Sequence, residues 1–433
     1  MTLPVVGIAG ARFTGVWLPP ADRIRVEGML SHDDNAARTR LVLLTLAAGS
    51  FGIGVTEFAI SGLMPGIAAE FGVSVTTAGW AATSYALGVF IGAPILVLIG
   101  QRFEQRAFLL LLMALFVTGN ALTAFAPSFL LVLLGRVISS LAHGAFIGIG
   151  SIIASRAVPE HKKTSAIAFM FSGLTLATLV GTPAATWVST EFSWRISFVG
   201  ISAIGLVVMA GILAYIPPNN TGKAFHFAAE VRAFTNPRLL LAMLITILGP
   251  AGFFTSITFI APITMNVTGT PESWITIYMA VFGLGLFIGN MLGGRLADRN
   301  LMALLLGSLA LLTFTLLLFW LAAGNVVVTF VAVFLMAAAG FATVSPIQRL
   351  VMERAERAGA PNLASAVNIG MFNLGNAIGA WLGGYVISAG LGDSGPNLAG
   401  ALLAAGALVV GIVIWLQSQK PTPSRRPDAA RVH

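Results

Sequence analysis

Apolar runs long enough to cross a bilayer begin at Leu41 and recur along the chain, each closed by a short polar stretch. A helix needs about 20 mostly apolar residues to cover the hydrocarbon thickness. With that window the sequence predicts twelve spanning helices, at 41–63, 78–98, 107–126, 128–151, 164–188, 195–216, 239–262, 274–293, 302–323, 325–348, 362–388 and 397–416. The fold class expected is an all-α polytopic membrane protein.

The basic residues test this pattern independently. With the N-terminus placed in the cytoplasm, odd-numbered loops face out and even-numbered loops face in. Arg12, Arg23, Arg25, Arg38 and Arg40 precede span 1. Arg102 and Arg106 follow span 2; Arg156, Lys162 and Lys163 follow span 4; Lys223, Arg232 and Arg238 follow span 6. Arg295 and Arg299 end span 8, Arg349, Arg354 and Arg357 follow span 10, and Lys420, Arg425, Arg426 and Arg431 close the chain. Twenty-two of the 24 Lys and Arg residues therefore fall on one side. The exceptions are Arg136, inside span 4, and Arg195, at the outer edge of span 6. The outer loops hold acids only (Glu70, Glu191, Glu272, Asp393) or no charge. The positive-inside rule then predicts that both termini are cytoplasmic.

Composition agrees. Of 433 residues, 57% are hydrophobic and 9% are charged, against about 25% charged in soluble chains. The net charge of +8 would suggest nucleic acid in a soluble protein. Here the loop asymmetry explains it, and no nucleic-acid partner is expected. Cysteine is absent, which excludes disulfides, thiolate metal sites and cysteine nucleophiles. Residues 1–40 are polar and mixed, too interrupted for a signal peptide. They are expected to be a disordered cytoplasmic tail, with Met29 open as an alternative start.

The chain also repeats itself. Tyr85-Ala-Leu-Gly-Val-Phe-Ile-Gly92 in span 2 matches Phe282-Gly-Leu-Gly-Leu-Phe-Ile-Gly289 in span 8, at an offset of 197. Ser165-Ala-Ile in span 5 matches Ser365-Ala-Val in span 11, at an offset of 200. Two six-helix halves are expected, 41–216 and 239–416, joined by a cytoplasmic linker at 217–238 and followed by a tail at 417–433. Repeats six spans apart have the same orientation, the parallel arrangement of transporters whose substrate binds near the midplane between halves.

Four stretches carry a family resemblance. They are Thr56-Glu-Phe with Gly62-Leu-Met-Pro65 in span 1, and Gly135-Arg-Val-Ile-Ser-Ser-Leu-Ala-His-Gly-Ala145 in span 4. The others are Gly173-Leu-Thr-Leu-Ala-Thr-Leu-Val-Gly-Thr-Pro183 in span 5, with Trp194-Arg195 beyond it, and Gly294-Arg-Leu-Ala-Asp-Arg299 after span 8. Over residues 38–417 the chain resembles the major facilitator superfamily. More narrowly, it resembles the 12-span drug:proton antiporters, near the arabinose and sugar efflux permeases and chloramphenicol exporters. Two features depart from the family pattern. Thr182 separates the usually adjacent Gly and Pro of the span 5 signature. By the repeat alignment, Gln101 and Arg102 stand where the second half has Asp298 and Arg299, so the first-half loop lacks the acid.

Glu57 is the only acid well inside a span, and Arg136 the only base. A charge at bilayer depth costs at least about 2.5–3.5 kcal/mol, so it faces a cavity or a partner. By the predicted span ends, the two sit about 9 and 12 Å below the outer face, at about 1.5 Å per residue. The bland reading is an ion pair tying spans 1 and 4. The functional reading is a carboxylate whose protonation is coupled to substrate and tuned by Arg136. His143 lies seven residues after Arg136, on roughly the same helix face. It titrates near neutral pH when unperturbed, or simply bonds a neighbouring helix.

Gly173, Gly181 and Pro183 in span 5 allow close helix approach and a kink. Read functionally, they form a pliable contact with the other half. Gly294, Arg295, Asp298 and Arg299 read as an ion-pair lock on the cytoplasmic side, or as a solvated turn obeying charge topology. Asn368, Asn373 and Asn376 in span 11 are either substrate contacts or ties between helices; their amides need hydrogen-bond partners at that depth.

No Gly-x-x-x-x-Gly-Lys loop and no metal-ligand spacing is present, so neither ATP nor any cofactor is expected. The reading is a monomeric, non-enzymatic inner-membrane transporter that exports a small organic solute, drug or sugar, against protons. An importer of the same fold, or a polytopic enzyme or sensor, stands as an alternative.

Overall fold

The computed structural model describes residues 20–100, 102–218, 235–297, 299–358 and 361–419. The linker residues 219–234, the tail from 420, and Gln101 and Asp298 lie outside them. Among the described residues the chain is helical throughout, without strands.

Among the described residues, eleven helical stretches are long and apolar enough to cross a membrane. The remaining predicted span, span 11, is the 26-residue helix Pro361–Val386, about 39 Å long at 1.5 Å per residue. Its asparagines lower its hydropathy, and Asn368, Asn373 and Asn376 are buried inside the bundle. It packs along spans 2, 7 and 12, so its polar groups meet protein rather than lipid, as intramembrane polar groups usually do.

The observed helices extend several predictions. The helix that carries span 1 runs from Pro20 to Phe58, and its membrane-crossing part is Ala37–Phe58. The helix breaks at Ala59 and resumes as Ile60–Phe71. The break precedes Pro65, which lacks the N–H that would bond the Ser61 carbonyl. Gly62 N–H turns instead to Ala59 O at 2.9 Å. The span therefore ends at Phe71 rather than 63, and Glu57 lies deeper along it than predicted. In span 5, Lys163–Leu176 and Thr182–Glu191 are joined by a π-turn at Ala177–Gly181, just ahead of Pro183. Such a turn absorbs the missing donor. Span 10 is Val326–Ala342 continued by Val344–Ala358, ten residues beyond its predicted end.

The sequence repeat is a packing repeat. A Cβ at Gly88 would strike Ser140 of span 4, and one at Gly92 would strike Leu141. Their counterparts Gly285 and Gly289 press on the Phe334 and Ala338 carbonyls of span 10. Each half thus seats its second helix on its fourth through the same two glycines, the close approach that small residues permit in membranes.

The two halves touch at the ends where the acidic loops lie and around the helix middles. The break of span 1 meets the second half through Phe58, whose ring lies 6.1 Å from Phe254, 6.2 Å from Phe282 and 5.9 Å from Phe341. Gly283 of span 8 sits against the Thr178 carbonyl in the π-turn of span 5. Gly370 of span 11 would place a Cβ 3.1 Å from the Phe90 carbonyl of span 2.

Candidate functional site

Arg136 projects from span 4, Phe129–Arg156, and is fully buried. Its Nη1 donates to the Thr56 carbonyl at 2.7 Å and to Thr56 Oγ1 at 3.1 Å. Its Nε donates to the Ala81 carbonyl at 3.1 Å. One guanidinium thus joins spans 1, 2 and 4. Its plane carbon lies 4.2 Å from the Tyr85 ring centroid, where the ring quadrupole attracts the cation. The Thr56 hydroxyl donates onward to Asn120 Oδ1 at 2.6 Å, which brings in span 3. Nη2 has no protein partner.

The ion pair of the bland reading, Glu57 with Arg136, is not formed within 4.0 Å; the two residues are adjacent through Thr56 instead. Arg136 places two of its five donors on backbone carbonyls and a third on the Thr56 hydroxyl. Helix carbonyls already have partners, so this keeps the cation solvated without consuming the carboxylate. The Glu57 carboxylate accepts from Asn376 Nδ2 of span 11 at 3.4 Å, across the two halves. Asn376 Oδ1 and Asn373 Oδ1 are buried without partners, while Asn373 Nδ2 donates to Ile369 O at 3.0 Å. These unpartnered amide oxygens share a helix face beside Glu57, and a buried unmet acceptor costs about 1–3 kcal/mol.

His143 is buried two turns further along span 4 and shares a 3.4 Å hydrogen bond between Nδ1 and the Tyr85 hydroxyl. The structure therefore gathers Glu57, Arg136, His143 and Asn376 around one polar core, while Asn373, one turn before Asn376, bonds its own helix backbone. It leaves Asn368 out. That amide accepts from Thr246 at 2.8 Å and donates to Gln348 at 2.6 Å, tying spans 7, 10 and 11 together.

Two other sequence expectations change. Gly173 and Gly181 do not face the second half: a Cβ at either would strike span 1, at the Ala47 carbonyl and at Val55. The contact across the halves comes from the neighbouring π-turn, whose bulged carbonyl at Thr178 receives Gly283. Gly294, Arg295 and Arg299 are exposed at the end of span 8; Asp298, their expected partner, lies outside the described residues.

Sequence reasoning did not pick out Tyr85, Thr56, Asn120 or Phe58. Tyr85 carried a readable signal, as one of four tyrosines and one set in an otherwise apolar span. The others become meaningful only once three-dimensional neighbours are known.

The polar core is one-sided. At the repeat offset of 197, the counterparts of Glu57, Tyr85, Arg136 and His143 are Phe254, Phe282, Val333 and Gly340. Phe254 and Phe282 are the rings that receive Phe58. The first half supplies the titratable chemistry, and the second an aromatic wall with asparagines. Among the described residues no group of His, Asp or Glu could hold a metal.

Comparison with known proteins places this arrangement. The sequence model of the Major Facilitator Superfamily matches residues 46–362. The inner membrane transport protein YdhP of Escherichia coli (strain K12) is 43% identical over 378 residues, covering 87% of this chain and 96% of that protein. The chloramphenicol resistance protein of Streptomyces lividans is 33% identical over 376 residues, covering 86% and 95%. Among solved structures, a bacterial homolog of the human lysosomal transporter Spinster, inward-facing and unoccupied, matches with a TM-score of 0.65 at 17% identity, covering 89% of this chain and 99% of that one.

Proposed function

Since the chain belongs to the major facilitator superfamily and is a multi-pass membrane transporter, we propose that it works in the inner membrane as an exporter exchanging a small organic solute for protons. Drugs and sugars are the solute classes, in keeping with the names of its relatives. The cytoplasmic placement of both termini follows from the loop charges.

The observation that carries this reading is the Asn376–Glu57 hydrogen bond across the halves. Glu57 is the one acid deep in a span, and its partner sits on the opposite half. A protonated carboxyl and a carboxylate differ in what they offer Asn376, because only the former donates. A change of protonation therefore changes a contact that the rocking of the halves must break. Arg136 is fixed beside Glu57 on the Thr56 and Ala81 carbonyls. A solute entering between the halves competes for Glu57 and for the unpartnered oxygens of Asn373 and Asn376. Tyr85 and His143 orient the far side of Arg136. On the cytoplasmic face, Arg295, Asp298 and Arg299 are the groups that would lock the halves when that face closes.

The test uses inverted membrane vesicles with an imposed pH gradient. A panel of sugars, amphenicols and cationic dyes is offered to wild-type protein and to Glu57→Gln. Gradient-driven uptake of at least one solute by the wild type, lost in the variant at equal protein level, supports the proposal. Uptake retained by Glu57→Gln would sink the role of Glu57.

A further inference from the structure

A crevice of about 210 Å³ opens at the acidic-loop end between spans 2 and 11, where its lining residue Ala380 lies one turn beyond Asn376. Its described lining carries no charged side chain. Three aromatic residues rim it: Trp80, Trp381 and Tyr385, which are 45%, 46% and 58% exposed. Trp381 and Tyr385 lie one helical turn apart with their rings stacked, 5.7 Å between centroids and 20° between planes. The stacked pair forms an aromatic border to the crevice on span 11. Opposite stand hydroxyls of Thr76, Thr77 and Thr83. The indole N–H groups of Trp80 and Trp381, the Tyr385 hydroxyl and the Ser388 hydroxyl make no hydrogen bond to described protein groups.

The floor explains why the crevice belongs to one conformation. Gly79 of the first half and Gly384 of the second both rest on the buried ring of Phe259, which a Cβ would approach to 2.8 and 3.2 Å. The crevice exists because the halves are closed around that ring. Rocking them apart separates Trp80 from Trp381 and removes it.

We propose that this crevice binds the ring of a neutral glycoside, and that the bound ring holds the two halves closed on this side. A pyranose presents one face of C–H groups, which packs on aromatic side chains, and a rim of hydroxyls, which meets donors and acceptors. The lining offers both, and offers nothing to a charged ligand. The volume suits one ring, since sites for drug-sized molecules run to about 300–1,000 Å³. A ligand that touches both halves favours the state in which both are present, by as much as its differential affinity. The ring could come from a free sugar or from a glycolipid headgroup in the surrounding leaflet. The inference is independent of proton exchange and of Glu57.

The experiment uses the full chain in lipid nanodiscs. Saturation-transfer NMR with methyl β-D-glucopyranoside reads the free-sugar arm. Mass spectrometry of lipid retained from nanodiscs doped with monoglucosyl diacylglycerol reads the lipid arm. Saturable binding in either arm, weakened roughly tenfold by Trp381→Ala, as expected for loss of an aromatic face, and reduced by the conservative Tyr385→Phe, supports the site and identifies its source. For the conformational claim, spin labels at Glu191→Cys and Glu272→Cys are introduced into the naturally cysteine-free chain. These positions flank spans 5 and 8, where the halves also meet, and lie outside the crevice lining. The glycoside should enrich the short-distance population. No saturable binding in either arm, binding unaltered in both variants, or an unchanged distance distribution at saturation would overturn the proposal.

Discussion

Arg136 donates to the Thr56 carbonyl at 2.7 Å, so the buried cation is anchored to the residue beside Glu57 rather than to Glu57 itself. The guanidinium is held by spans 1, 2 and 4 whether or not the carboxylate is protonated. An ion pair would have tied the two charges into a fixed unit; this geometry leaves the carboxylate available.

Arg136→Lys should therefore fail even though it keeps the charge. An ammonium cannot reach the Thr56 and Ala81 carbonyls in the planar geometry of a guanidinium. Loss of at least one hydrogen bond to a charged group costs about 1.5–3 kcal/mol. The expected result is a lowered unfolding temperature in detergent and more than tenfold slower transport. A lysine variant with wild-type stability would show that the carbonyl contacts are incidental.

Asn368 and Asn376 should behave differently although they share a helix. Asn368 is satisfied by Thr246 and Gln348 within the second half. Asn368→Ala should cost about 1 kcal/mol, given about 0.6 kcal/mol for an average hydrogen bond in a membrane bundle, and leave the solute profile unchanged. Asn376→Ala should alter the pH dependence of transport with little effect on stability. The two are separated by thermal unfolding and by transport assayed over a range of pH.

Phe58 is the aromatic plug between the halves. Its three ring contacts to Phe254, Phe282 and Phe341 are worth about 1.5–4.5 kcal/mol at about 0.5–1.5 kcal/mol per pair. Phe58→Ala should shift the population toward separation at the acidic-loop end. Faster alkylation of a cysteine introduced at Thr255, buried behind the plug, is the expected readout.

Gly283→Val should block closure without unfolding either half. A side chain there would strike the Thr178 carbonyl of the π-turn, a contact made only between halves. The variant should insert and purify normally but lose transport. Full transport would mean that the π-turn and span 8 need not meet.

These residues differ in how visible they are in the sequence. The twelve spans are legible because lipid demands long apolar runs, and Glu57 and Arg136 stand out because charge is costly there. The repeat is legible through Gly88, Gly92, Gly285 and Gly289, whose spacing survives because each meets a backbone or a short side chain. The pairing is not legible. A threonine, an asparagine or a tyrosine in a membrane helix reads alike whether it binds its own backbone or a residue on another span. Hence Asn368 and Asn376 looked equivalent, and Tyr85 and Asn120 went unremarked. The direction in which Gly173 and Gly181 face was also hidden, because the π-turn between them shifts the helix phase. The extra turns of span 1 beyond position 63 depend on Pro65 breaking the helix without ending it.

The most direct test of the central claim is proton release on solute binding. Detergent-purified protein in weakly buffered solution is mixed with a solute that it transports, and pH is followed with an indicator dye. Wild-type protein should release protons on binding, and Glu57→Gln should bind without release. Equal proton release by the two proteins, or none from the wild type despite binding, would contradict the assignment of Glu57 as the group that exchanges proton for solute.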